Sequence, residues 1–501
     1  MLSKINIMNK QILNTAAVAV SSVIIAVPII RRNIYRNKVY AASNETSSAA
    51  IDPMNISSSH DHLLKRLQEI HPQQSAPKVD PKYIQKSPPL NKLTLKSVQV
   101  YFRHGARLPL KTIPNVEEAF WDKNEHLTGI LFTNIKTRII NQSSRQPVTE
   151  LSRIEGVYRK HILRGGVHSG QLTNLGQWHT YDLGLRLHKD YIVNNKLLPE
   201  NYQPNFIRIR STNISRTVDS IRCVMCGLYG VEQLKQHNEV LDVPVETEAG
   251  KEFLNPSPRN CPTLHQAYQR GRLAENDIPG IIEFKQRLSL ILDYEEGGLE
   301  HHKLDLIDIR DDMVARQAHG LPLPDGFTKE VIEKIEHYGT AMCTQILCGK
   351  LQDGKIGLIL GSGPIFQNVL RNMDDTYHNK SGVKIYLYSC HDSTLIPLLE
   401  ALELFDNKWP PYAADVRFEL YEDQLGDHWV RILYCDQVLP LSGSNGPLCR
   451  LEQFTEQISH LAINAAQYDH MCHPHIPQRH IMDNPFRRFW EKKEIKMAPV
   501  S

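Results

Sequence analysis

The first 44 residues contain neither aspartate nor glutamate, although the whole chain carries 55 acidic residues. The same stretch holds Lys4, Lys10, Arg31, Arg32, Arg36 and Lys38, and setting those six cations aside turns the net charge of +3 into −3 for the rest. A body without basic excess excludes a nucleic-acid groove, because such binding rests on a positive field. No internal repeat or heptad period runs through the 501 residues, which excludes a solenoid or a coiled coil. No second Cys-x-x-Cys accompanies Cys223 and Cys226, so that pair reads as buried helix cysteines rather than half of a zinc site. His470, Cys472, His473 and His475 cluster near the C-terminus, but Pro474 and Pro477 make the segment irregular and no metal is assigned to it. The run LGSGPIFQNVL (360–370) lacks the third glycine of a dinucleotide fingerprint and the Lys-Ser/Thr of a P-loop. With Pro364 suited to a first helical turn, it reads as a helix entry. No cofactor is expected.

What is present suits a globular protein of one enlarged domain or two: 41% of residues are hydrophobic and 7% aromatic. Residues 1–42 read as a targeting or membrane-anchor segment. Their basic, hydroxyl-containing, acid-free composition fits a mitochondrial presequence first, and the length of the apolar run 12–30 fits a secretory-pathway anchor as the alternative; a cleaved secretory signal fits least, because most of the positive charge follows that run. Either leaves room for membrane association through the N-terminus. Residues 43–92 are rich in Ser, Pro and Asn and read as a linker, and 476–501 as a basic tail. Between them, β-like runs at 93–102, 206–211, 384–390, 416–422 and 428–435 alternate with helical patterns at 170–192 and 392–405. This predicts an α/β fold with a central, mostly parallel sheet flanked by helices. The stretch 262–360 is mostly helical and charged, and reads as an inserted cap domain between catalytic halves at 93–261 and 361–475.

Three of the strand ends carry unusual chemistry. VQVYFRHGARLP (98–109) runs apolar residues directly into Arg103, His104, Gly105 and Arg107. Strand ends facing a crevice are where open α/β sheets bind ligands. Two arginine forks there suit phosphate or carboxylate, and an imidazole between them can attack phosphorus once the cations have neutralised the repelling charge. FIRIRSTN (206–213) brings Arg208 and Arg210 to one face of a second strand, with Arg210 nearer the end. KIYLYSCHD (384–392) brings His391 and Asp392 to the junction of a third strand and a helix, where they can supply a phosphate ligand and a proton donor. Singly, each has a plain reading as a wet loop, an ion pair or a helix cap. Together they point to phosphoryl-transfer chemistry on a small phosphomonoester.

The motifs RHGARLP, RSTN..R and HD, in this order, resemble the histidine acid phosphatase branch of the histidine phosphatase superfamily. The likeness continues through GQLTNLG (170–176), RNCPTL (259–264), ARQAHGLPLP (315–324) and PLCRLEQF (447–454), and covers about residues 93–475. Within the family the chain is most similar to the type 6 lysophosphatidic acid phosphatases, which implies a lysophospholipid as substrate; the alternatives are another monoester, such as a glycan sugar phosphate, or phosphate binding without turnover. The resemblance implies His104 as nucleophile, Asp392 as proton donor, and Arg103, Arg107, Arg210 and His391 as ligands of the phosphoryl oxygens, with no metal. The family's usual Asp after Arg-Ser-Thr is Asn213 here. It places His319 in the cap region, either near the pocket or in a structural role. It also implies a disulfide between Cys261 and Cys472, which needs an oxidising compartment.

Overall fold

The computed structural model describes residues 88–473 apart from 151, 238–239, 249, 295–304, 350–354 and 445. The expectations for 1–42, for 43–87 and for the tail 476–501 lie outside the described residues.

A long strand, β1 (Thr94–Arg103), lies at the centre of the main sheet, and its last seven residues are all buried. Continuous burial of this kind is what a strand covered on both faces shows, and here it takes in Ser97, Gln99 and Arg103 beside the apolar residues. Its parallel neighbour β5 (Ile385–Cys390) is buried along its whole length. Outward from β5 come β3 (Ile207–Ser211), β4 (Val240–Val245) and β2 (Lys136–Asn141), all parallel. On the other side of β1 the sheet continues antiparallel through β6 (Asp415–Glu422) and β7 (His428–Tyr434), with the short β8 (Gln437–Val438) and β9 (Cys449–Arg450) both on β7. The order is β8-β7-β6-β1-β5-β3-β4-β2, with β9 off that path.

Helices cover both faces. On one, α1 (Asn174–His188) and α2 (Ser215–Tyr229) close a core that includes Val98, Val100, Phe102, Leu183 and Val224. On the other, α7 (Ile356–Tyr377) and α8 (Asp392–Ala401) pack over Tyr101, Tyr386, Tyr388 and Phe418. Between β4 and β5 the described chain is helical: α3 (Pro262–Leu273), α4 (Ile281–Ile291), α5 (Leu306–His319) and α6 (Lys329–Cys348) precede α7. Phe284, Leu288, Leu306, Ile309, Met313, Val331 and Ile335 give these helices an apolar core of their own. Asp305 and Asp308 form a capping box at the start of α5, and Gly320 ends it in the left-handed region at φ 68°. Among the described residues, no helix is long and apolar enough to cross a membrane.

One local expectation is overturned. Pro364 does not open a helix but sits inside α7. The helix is fixed by its buried face, and the residue beside the proline explains the fit: any side chain at Gly363 would collide with the Leu461 carbonyl. Packing has outweighed the local cost of the proline.

Candidate active site

Because β1, β5 and β3 are parallel and in register, Arg103 stands beside Cys390 and Ser211 beside Ser389. Their C-terminal ends therefore release His104, His391 and Thr212 into one crevice. The imidazoles of His104 and His391 stand edge to face, their centroids 5.5 Å apart. The loop after β1 is pressed onto the start of α1. A side chain at Gly105 would strike the Gly176 carbonyl, and one at Gly176 would strike that of Ala106. Both glycines are required by this close approach. Thr173 caps α1 by accepting from the Gly176 N–H, and its own N–H donates to the Ala106 carbonyl.

His104 is 1% exposed. Its Nδ1 lies 2.9 Å from the Gly105 carbonyl oxygen. A carbonyl only accepts, so Nδ1 carries the proton and Nε2 keeps its lone pair. Burial, then Arg216, Arg103 and Arg107, hold the His104 pKa well below the usual histidine value. The imidazole therefore stays neutral in acid, as a nucleophile requires. His391 is depressed in the same way, by burial and then by Arg216, and its Nε2 lies 3.0 Å from Thr212 Oγ1.

Three buried guanidinium groups surround this pair. Arg103 donates to the Pro410 carbonyl at 2.6 Å, pairs with Asp392 Oδ2 at 2.8 Å and lies over the Tyr412 ring at 4.4 Å. Arg107 forks onto Asp311 of α5, with Nη2 2.6 Å from Oδ1 and Nη1 3.0 Å from Oδ2. Arg216, in the first turn of α2, lies over the Tyr158 ring at 5.0 Å. Buried nitrogens of all three are left without a protein partner: Nε of Arg103 and Arg107, and both Nε and Nη1 of Arg216. Buried donors are rarely left unmade, and these four are where an oxyanion would be held.

Asp392 opens α8, with His391 as the cap residue before it. Burial pushes its carboxyl up, but Arg103 and then Arg107 outweigh that and hold it well below the ordinary carboxylate range. Trp409 Nε1 donates to the same Oδ2 at 2.8 Å.

The sequence-predicted residues divide cleanly. Arg103, His104, Arg107, His391 and Asp392 meet in one cluster. Arg210 does not join it. In register with Tyr388, Arg210 points to the face covered by α7, where it lies over Phe253 at 3.9 Å and pairs with Glu252 at 3.0 Å. Strand alternation, which placed Arg210 with Arg208, also turned it away from His104. Arg216, six residues on, stands in the cluster instead; the RSTN..R spacing held that signal. His319 has both ring nitrogens engaged, Nδ1 2.7 Å from the Ala315 carbonyl and Nε2 2.8 Å from Thr173 Oγ1, and so links α5 to the catalytic loop's support. Cys261 and Cys472 are joined by a disulfide. Asp311, Tyr412 and Trp409 were not anticipated as site residues; Trp409 and Tyr412 lie in LFDNKWPPYAADVRFELY (404–421), a segment of the family likeness, whereas no pattern in the sequence marks Asp311. Among the described residues, no group of His, Cys, Asp and Glu is arranged to hold a metal.

Residues 94–435 match the family model described as the histidine phosphatase superfamily (branch 2). The chain is 32% identical over 387 residues to the lysophosphatidic acid phosphatase type 6 of Mus musculus, covering 76% of this chain and 88% of that protein. It is 27% identical over 384 residues to the prostatic acid phosphatase of Homo sapiens, covering 73% and 84%. Among solved structures, the apo form of Hafnia alvei phytase aligns with a TM-score of 0.49 at 13% identity, over 76% of this chain and 100% of that one. On the family model and the first of these relatives, the chain belongs to branch 2 of the histidine phosphatase superfamily and is a phosphoric monoester hydrolase.

Proposed function

We propose that the protein hydrolyses lysophosphatidic acid to monoacylglycerol and phosphate through a phosphohistidine on His104. The observation that carries the chemistry is the neutral His104 Nε2 set among three guanidiniums with four unpartnered nitrogens. Nε2 attacks phosphorus and forms the P–N bond while the P–O ester bond breaks. Asp392, protonated at that stage, gives its proton to the departing glycerol oxygen. Water then attacks phosphorus, its proton passes to the Asp392 carboxylate, and cleavage of the P–N bond returns neutral His104 and free phosphate. Arg103, Arg107, Arg216 and His391 hold the phosphoryl oxygens, so that catalysis is positioning and charge neutralisation. The lipid substrate is supported by the similarity to the type 6 relatives.

The test is phosphate release by the purified chain from lysophosphatidic acid and from a panel of soluble monoesters, across about pH 4 to 8. Preference for the lipid supports the reading; activity confined to soluble esters removes the lipid and keeps the mechanism. Loss of phosphoenzyme trapping in His104→Ala checks the nucleophile, and trapping that persists would assign it elsewhere.

We also propose a mitochondrial location, supported by the acid-free, basic first 44 residues. A tagged full chain that fractionates with secretory membranes would replace it with the anchor reading.

A further inference from the structure

The parallel half of the sheet is split. β3 pairs with β5 along its whole length, from Ile207 to Ser211, but forms a ladder pair with β4 at a single position, Ser211 with Val245. Below that pair the two strands splay apart, and a cavity of about 840 Å³ opens between them. Arg145, Arg208, Arg210 and Arg371 line it.

Its charge is only partly compensated. Asp242 is the one acid in the lining, and both its oxygens are taken by Arg138 at 2.7 and 2.9 Å. Among the described residues, the Arg208 and Arg145 guanidiniums have no acidic partner, and Arg371 has only the Asn368 amide oxygen, at 2.6 Å. Arg210, 5% exposed, gives one nitrogen to Glu252 and leaves its Nε without a partner. Like charges held together in a cleft raise its potential and concentrate anions there. Ile207, Ile209 and Leu234 add aliphatic surface to the lining.

We propose that this split is an anion site separate from the His104 cluster, that it takes a phosphorylated ligand, and that Arg208 and Arg371 are its principal contacts. Planar guanidinium forks select the phosphate group, and the aliphatic surface accepts a hydrocarbon attached to it. A free polyphosphate and a phosphorylated lipid headgroup share this chemistry. The site does not depend on the hydrolytic reading, since neither arginine belongs to the catalytic cluster.

The test uses the full chain carrying Arg216→Ala, which weakens the His104 site. Tripolyphosphate is titrated calorimetrically, and flotation is measured with phosphatidylcholine vesicles with and without lysophosphatidic acid. We expect saturable binding of at least one probe, weakened roughly tenfold or more when Arg208→Ala and Arg371→Ala are added. Loss of tripolyphosphate binding identifies a soluble anion as the source, and loss of lysophosphatidic acid-dependent flotation alone identifies a lipid headgroup. Binding of both probes undiminished in the combined variant, or absent before Arg208 and Arg371 are changed, overturns the site. Both side chains are exposed, so the variant should fold. Turnover of a soluble aryl phosphate by the Arg208→Ala/Arg371→Ala protein, within about twofold of the unmodified chain, checks this. Should that variant misfold, Arg208→Gln/Arg371→Gln is judged by the same binding outcomes.

Discussion

Arg103 Nη2 and Asp392 Oδ2 stand 2.8 Å apart in a pocket where Arg103 is 2% exposed. The proposed phosphate ligand and the proposed proton donor thus neutralise each other in the resting site. A phosphate dianion entering the cluster competes for Arg103, weakens its hold on Asp392 and adds negative charge beside the carboxyl. Both effects raise the affinity of Asp392 for a proton. On the proposed mechanism, substrate binding is then what converts a strong acid's conjugate base into a general acid.

Asp392→Asn keeps the shape but cannot exchange a proton. Alkyl phosphates, with poor leaving groups, should lose about 10²–10⁴-fold in kcat, the usual contribution of a general acid. Aryl phosphates with stable leaving groups should lose far less. Equal losses on both classes, measured as kcat and kcat/KM, would remove the proton-donor role.

Arg216 and Arg210 make a second contrast. Arg216→Ala should lower kcat by about 10²–10³-fold, the loss expected when one buried oxyanion donor is removed. Its stability should change little, because the side chain has few protein partners to lose. Arg210→Ala should do the reverse: activity near normal, but a lower melting temperature, because the half-buried Glu252 loses its charged partner. Steady-state kinetics and thermal unfolding of the two variants side by side decide it.

The contrast also shows what the sequence could and could not disclose. β1 and β5 were legible because strands buried on both faces are predominantly apolar, and His104, His391 and Asp392 were legible because they end those runs. β2 and β4 were not. KTRIIN is short and partly exposed, and VLDVPV contains Pro244, a residue that argues against a strand. Arg210 was misplaced because alternation fixes which residues share a face but not which face meets the crevice. Asp311 could not be foreseen: it reaches Arg107 from 204 residues away, through the packing of the helical insertion.

Acid should destabilise the fold through its buried histidines. In the folded chain burial lowers His179 and His319 to about 4, from an ordinary value of 6.5. His104 and His391 are lowered too. Between pH 6.5 and about 4 the unfolded chain therefore binds more protons than the folded one, and stability falls as pH falls through that window. The melting temperature should decline across it, and His179→Gln should flatten part of the decline. A melting temperature that rises on acidification would contradict the assignment of these rings as neutral.

The Cys261–Cys472 disulfide spans 211 residues of chain and ties the start of α3 to the end of the last described helix, Ala465–Cys472. It therefore joins the root of the helical insertion to the segment that closes the α/β body. Removing such a crosslink restores freedom to the unfolded chain, at a cost of about 2–5 kcal/mol. Cys261→Ser should show that loss in denaturant unfolding, and Cys261→Ser/Cys472→Ser should show about the same loss rather than twice as much, because the two thiols act as one unit. The Arg107–Asp311 fork reports the consequence for the site. If the bond steadies the insertion against the body, reduction should raise KM for soluble esters before it lowers kcat, since Asp311 positions Arg107 rather than touching phosphorus. An unchanged midpoint in both serine variants would mean that the noncovalent contacts of α3 alone hold the insertion in place.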